Sequence, residues 1–249
     1  MTCSAKAEFL QCFKRFGAKH NQHQVFSDFV AMAAASIHNA IAFDETLEAN
    51  YLTIARRYSA SELTWISELL AHVVSGLEMG FSDFLGDLFM ELELGNARAG
   101  QFFTPYSVSK LMAQLTFEPA SEQDFVRFHD PACGAGSLPI AFSQVLREAG
   151  GNPQTDVWMQ CWDVDSMVAH MCYIQLSLLH IPAEIVIGNS LSLDVQRSMK
   201  TPAHYLGCWD QRLRPRHQQE RAPIVSPRQP WLGGEMMDLF TAEESAHAS

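Results

Sequence analysis

The stretch "FHDPACGAGSLPIAF", residues 128–142, decides how the chain is read. A short apolar run (Phe125, Val126, Phe128) ends in Asp130 and Pro131, then come Cys133, Gly134, Ala135, Gly136 and Ser137, and an apolar helical pattern resumes. A strand that passes through such a turn into a helix puts the turn beyond its own carboxyl end, where doubly wound sheets bind ligands. Gly134 and Gly136 can adopt φ > 0 and admit a close backbone approach. The start of the next helix offers N–H groups without intrahelical partners. These features suit any nucleotide-like cofactor, and they suit a merely tight turn as well. The dinucleotide pattern GxGxxG is not met, because Pro139 stands where its third glycine would be.

Outward from this turn the pattern alternates. "DFVRFHD" predicts a first strand, and "SLPIAFSQVLREAG" a helix closed by Gly150 and Gly151. "VWMQCWDVD" predicts a second strand, "SMVAHMCYIQLSLLHI" a helix ended before Pro182, and "AEIVIGNSL" a third strand. Strand, helix, strand, helix, strand predicts a parallel sheet with crossover helices. The second strand ends in Asp163 and Asp165; an acid there can accept hydrogen bonds from ribose hydroxyls, and an acid before a helix can cap it. Asp163 is assigned to the ligand and Asp165 to the cap. Asn189, at the third strand's end, offers an amide to a base edge, or makes a simple turn.

Upstream, "TPYSVSKLMAQLTF" predicts a helix with Thr104 as N-cap and Pro105 in its first position. Residues 1 to 95 read as helical: "FSDFVAMAAASIHNAIAF", "SELTWISELLAHVVSGLEM" and "FSDFLGDLFMELEL" repeat apolar residues at the spacing of one helix face. The five acids between Glu78 and Glu93 read as a solvated face. After about residue 195 the alternation stops. "QRLRPRHQQERAPIVSPRQPWLGG" holds five arginines and four prolines and reads as irregular. The chain thus divides into a helical region (1–97), an α/β domain (98–200) and a basic, Pro-rich tail (201–249).

Bulk properties narrow the classes. The net charge of −11 argues against a generally basic nucleic-acid binder, though not against a local basic patch. Six cysteines, at 3, 12, 133, 161, 172 and 208, form no CxxC and no zinc spacing, and suit a reducing cytosol. "HNQH" (His20, His23) is too isolated for a metal site, so no metal is expected. No apolar run approaches the ~20 residues of a membrane span.

"DPACGAGSL" together with "GQFFTP" resembles the adenine-N6 DNA methyltransferases, most of all the modification subunit of type I restriction systems. "DFLGDLFMELELGNARAGQFFTP", "CWDVDSMVAHMCYIQLSLLHI" and "GNSL" are similar to that family's interdomain junction, its second strand and helix, and its third-strand turn. The likeness covers roughly residues 80 to 193. It implies a Rossmann-like, S-adenosylmethionine-dependent methyltransferase domain behind a helical N-terminal region. By the family pattern, Phe103, Thr104 and Pro105 line the methionine end. Asp130, Ala132, Gly134 and Gly136 form the cofactor loop, Asp163 takes the ribose hydroxyls, and Asn189 faces the adenine. DNA is the implied partner, with a further subunit possible.

Methylating an adenine amine requires a flipped base and groups that hold the poorly nucleophilic amine. The family uses a [DNS]PP[YFW] tetrapeptide for this, and the chain has no Pro-Pro. "NPQT" (152–155) falls between the first and second strands, and Asp210 beside Trp209 is the one weak substitute. The expected sheet stops at three strands, with an open edge for the tail or another chain to cover. Three readings follow: a divergent DNA adenine methyltransferase, a cofactor-binding partner without catalysis, and a methyltransferase for a non-DNA substrate.

Overall fold

The computed structural model describes residues 2–92, 94, 103–117 and 125–214. Met1–Asp210 form one compact unit and Gln211–Ser249 a second; of the second, only residues 211–214 are described.

Five helices come first: α1 (Thr2–Phe13), α2 (Gln22–Asn39), α3 (Glu45–Ala55), α4 (Ala60–Glu78) and α5 (Phe84–Glu91). The starts of α2 to α5 are set by short polar side chains that accept the first free N–H groups. Asn21 caps α2 and Asp44 caps α3. Ser59 and Glu62 form a reciprocal capping box on α4. The apolar faces meet in an aromatic core of Phe9, Phe13, Phe26, Phe29 and Phe89, all fully buried. Phe9 meets Phe29, and Phe26 meets Phe89, at ring-centroid separations of 5.6 Å.

After α6 (Tyr106–Thr116) the chain alternates through β1 (Val126–Asp130), α7 (Ser137–Glu148), β2 (Val157–Asp163), α8 (Ser166–Leu178) and β3 (Ala183–Asn189). The strands lie in the order β1-β2-β3 and are parallel, with Asp130 opposite Cys161 and Asp163 opposite Ile187. The expected α/β class is therefore present. The expectation that the sheet stops at three strands is not met. β4 (Asp194–Lys200) pairs antiparallel with β3, giving a four-stranded mixed sheet. Its alternation is faint because it is an edge strand: Met199 is buried while Val195 is exposed. Two short helices follow, α9 (Pro202–Leu206) and α10 (Trp209–Arg212).

Helix α8 joins the two parts of this unit. Met167, Ala169, Met171, Cys172, Tyr173, Ile174 and Leu176 are all buried. One side of α8 packs on β2 and β3, and another on α2 and α5. A helix covered on both sides must be apolar nearly all round, and "SMVAHMCYIQLSL" is. The helical region and the sheet consequently share one continuous core.

Two local expectations need correction. α6 begins at Tyr106; Pro105 has ψ 138° and occupies the cap position, so Thr104 lies outside the helix and Pro105 is not its first residue. Asp83, one of the five acids read as a solvated face, is 3% exposed and caps α5 by accepting from the Gly86 N–H. The basic segment beyond Arg214 lies outside the described residues. No described helix is long and apolar enough to cross a membrane.

Gly76 offers a test of this packing. Alanine in place of a helical glycine ordinarily stabilises by about 1 kcal/mol. Here an added Cβ would lie 2.3 Å from the ring of buried Phe84. Gly76→Ala is expected to cost about 1–3 kcal/mol and to lower the melting temperature by several degrees, measured by calorimetry; a rise would contradict the contact.

Candidate functional site

The loop between β1 and α7 takes the conformation its glycines permit. Gly134 has φ +54° and Gly136 φ +99°, and Gly136 is the N-cap of α7. A side chain would be crowded as well as strained there. A Cβ on Gly134 would sit 3.3 Å from the Phe103 ring, and one on Gly136 3.0 Å from Cys172 Sγ.

Neighbouring elements tie the loop down. The Cys133 N–H donates to the carbonyl of Trp162 at 2.8 Å. The Gly134 N–H donates to Asp163 Oδ2 at 2.9 Å, and the Ala132 N–H to Asp130 Oδ1 at 3.1 Å. From β3's end, Ser190 Oγ donates to the Pro131 carbonyl at 2.8 Å. From α8, Gln175 Nε2 donates to the Ala135 carbonyl at 2.8 Å. Ser137 Oγ donates to Ser109 Oγ of α6 at 2.9 Å.

The structure brings nine of the ten sequence-derived candidates to one end of the sheet. Asp130, Ala132, Gly134 and Gly136 make the loop, and Asp163 and Asn189 end the next two parallel strands. Phe103 rests against Gly134, its ring 5.2 Å from that of Phe89, and exposed Thr104 and Pro105 lead from it into α6. Asp165 caps α8, accepting from the Met167 N–H at 2.8 Å. Asn189 Oδ1 accepts from the N–H groups of Leu191 and Ser192 at 3.0 and 3.3 Å. The turn therefore uses the amide oxygen.

Asp210 is the tenth, and the structure does not bring it there. It pairs with Lys200 Nζ at 2.6 Å and His204 Nε2 at 3.1 Å. Lys200 lies opposite Glu184 at the start of β3, and Trp209 packs edge-on to Phe125 at the start of β1. The five residues of β1 span roughly 16 Å between that end and the loop. His20 is likewise engaged elsewhere, 2.9 Å from Glu62 Oε1. No cluster among the described residues has the arrangement of a metal site.

Sequence reasoning missed Gln175 and Ser190. The signal for Gln175 was present, as the one side-chain amide in a largely apolar helix. Burying it without partners would be costly.

The site is acidic and partly dry. Burial pushes the Asp130 carboxyl up to about 6, against the lowering effect of the Ala132 N–H. Burial also raises Asp163, against the N–H groups of Asp165 and Gly134. Asp83 behind the loop is pushed up to about 6 by burial, with the Gln175 amide pulling the other way. Two carboxylates, the backbone of a glycine turn, an aromatic ring and an amide can together hold a small molecule bearing hydroxyls, an amine and a flat base.

The N-6 DNA Methylase family model matches residues 83–207, half of the chain. The chain belongs to the N-6 DNA methylase family. The matched region spans α5 to α9 and includes every loop contact described above, the Ser109 hydroxyl among them. Methanocaldococcus jannaschii has a relative named Type I restriction enzyme MjaVIII methylase subunit. It is 36% identical over 115 residues, which is 44% of this chain and 18% of that one. Mycoplasma pneumoniae has the Type I restriction enzyme MpnII methylase subunit, 24% identical over 152 residues, or 57% of this chain and 27% of that one. The matches thus cover less than a third of either curated relative. Among solved structures, the type I restriction-modification system methyltransferase subunit from Streptococcus thermophilus superposes with a TM-score of 0.41. It is 16% identical, over 78% of this chain and 60% of that one.

The raised carboxyls give stability a definite pH dependence. A group held at about 6 when folded and near ~4 when unfolded makes folding take up protons between those values. Its contribution is full below about pH 4 and is lost as pH rises through about 6. Asp83→Asn removes that loss while keeping an acceptor for the Gly86 N–H. The melting temperature of Asp83→Asn relative to the native protein is expected to be more favourable at pH 8 than at pH 5; scanning calorimetry at both pH values checks it, and a constant difference would contradict it.

Proposed function

We propose that the site binds S-adenosylmethionine and that the chain serves methyl transfer to the N6 amine of adenine in DNA. Family membership supports the reading. The observation that carries it is the turn of Gly134 and Gly136 held against the carboxylate of Asp163. Asp163 Oδ1 and Oδ2 each accept one backbone N–H, and each keeps a lone pair for a ribose hydroxyl. Asp130, Ala132, Gly134 and Gly136 form the loop around the cofactor. Phe103, Thr104 and Pro105 line its methionine end, and the Asn189 amide faces its adenine. When bound, S-adenosylmethionine supplies a methyl group activated by a sulfonium centre. The chain's own part is to orient and to desolvate: Phe103 and the buried turn exclude water from one side, and the carboxylates fix the polar groups.

The same reading keeps the three-part organisation, with a helical region to residue 97, the cofactor domain to 200 and a basic tail beyond. It places the protein in the cytoplasm with DNA, and with a further subunit of a modification system. A second reading is favoured by a specific observation. The sequence has no Pro-Pro, and Asp210 is ion-paired at the end of the sheet opposite the loop. On that reading the chain is a cofactor-binding partner and the groups that hold the target amine come from elsewhere.

Titration calorimetry with S-adenosylmethionine is expected to show one site. Asp163→Ala should weaken binding about 10- to 100-fold, the scale of hydrogen bonds to a charged acceptor. Absence of binding by the folded native protein would overturn the proposal. Labelled methyl transfer to unmethylated DNA separates the two readings: transfer supports the enzyme, and binding without transfer supports the partner.

A further inference from the structure

Gln175 is fully buried in the middle of α8, and each of its polar functions is used. Its Oε1 accepts from the Leu85 N–H at 3.0 Å. Its Nε2 donates to Asp83 Oδ1 and to the Ala135 carbonyl, both at 2.8 Å. The amide cannot be turned over, since its oxygen would then face a carboxylate and a carbonyl. Asp83 Oδ1 also accepts from the Gly86 N–H at 2.9 Å. A Cβ on Gly86 would lie 2.3 Å from Asp83 Oδ2, so the glycine is what lets the carboxylate sit there. One side chain thereby connects the first turn of α5, 90 residues upstream of it, to the loop, 40 residues upstream.

The contact falls on the peptide between Ala135 and Gly136. Ala135 lies between two glycines of positive φ. Glycine permits peptide orientations that other residues disfavour, so this plane is held by the bonds it makes: one from the Gly136 N–H to the Cys133 carbonyl at 2.9 Å, and one that the Ala135 carbonyl accepts from Gln175. We propose that Gln175 is a positioning residue for this loop: it orients the Ala135 peptide, and through Asp83 it makes the loop's shape depend on the helical region. The inference rests on the reading of the loop as the S-adenosylmethionine site. The titratable groups facing the pair are Asp87 on α5 and Tyr106 on α6, both coupled to Asp83.

Gln175→Glu is the decisive variant, because it keeps shape and inverts polarity. Two adjacent buried carboxyls cannot both ionise. At pH 8 they share one proton, and it cannot serve Asp83 and Ala135 together. At low pH both are protonated and a donor to Ala135 returns. Expected is a fall of at least about tenfold in S-adenosylmethionine affinity at pH 8, narrowing several-fold towards native at pH 5.5, with faster amide exchange in the 131–138 peptide of the ligand-free protein at pH 8. Damaged packing alone would not recover in acid. Near-UV circular dichroism verifies the fold. Should the variant not fold, Gln175→Met, close in size and without a donor, carries the test through exchange and affinity at one pH. Native loop exchange and native affinity in a folded variant would overturn the positioning role. A native protein that binds no S-adenosylmethionine overturns the functional reading instead, and loop exchange then decides the positioning role by itself.

Discussion

A turn that relies on two left-handed glycines is held only in part by its own bonds, and this constraint organises the molecule. Between Asp130 and Ser137 the chain gains freedom at Gly134 and Gly136, and the surroundings remove it. β2 supplies the Trp162 carbonyl and the Asp163 carboxylate, the end of β3 supplies Ser190, and α8 supplies Gln175. Each bond is modest, net about 1 kcal/mol, but they come from separate elements. The loop is therefore held jointly by the sheet, by α8 and, through the bond between Gln175 and Asp83, by the first turn of α5.

That dependence explains the shared core. A helical region attached by a linker could not lend Asp83 to the back of the loop. Here α8 is wrapped by the sheet on one side and by α2 and α5 on another, so burying its apolar residues brings the two halves together and delivers Gln175 to both. The two ends of the sheet are chemically distinct as a result. At the carboxyl ends of the parallel strands lie buried carboxyls and a glycine turn. At the other end lies a structural network in which the Trp158 indole N–H donates to His204 Nδ1 at 3.0 Å, and Asp210 joins His204 to Lys200.

Much of this was legible in the residues. Alternating apolar runs announced β1, α7, β2, α8 and β3, because buried strands and helices carry a period that one sequence can display. Asp165 read as a cap and is one. β4 escaped notice because it buries little beyond Met199, and a strand held mainly by backbone bonds to β3 has no side-chain period to show. Thr104 and Pro105 satisfied a helix-start rule, yet Pro105 takes an extended ψ and passes the start to Tyr106. The five acids near α5 looked alike in charge; folding buried Asp83, because the Gln175 amide and the Gly86 N–H could meet it there.

By itself the sequence determined the order of elements, the turn of Gly134 and Gly136, and the acids that follow β1 and β2. These are local properties, written in residue type and spacing. Only the tertiary structure decided which groups meet across long separations. It gave Asp163 to the Gly134 N–H, spent the Asn189 oxygen on its own turn and put Asp210 at the far end of the sheet. It also turned Gln175, an ordinary residue in an apolar helix, into the group that touches both α5 and the loop. The physical reason is that a hydrogen bond between residues 40 or 90 positions apart depends on how helices and strands pack, and no local pattern carries that information.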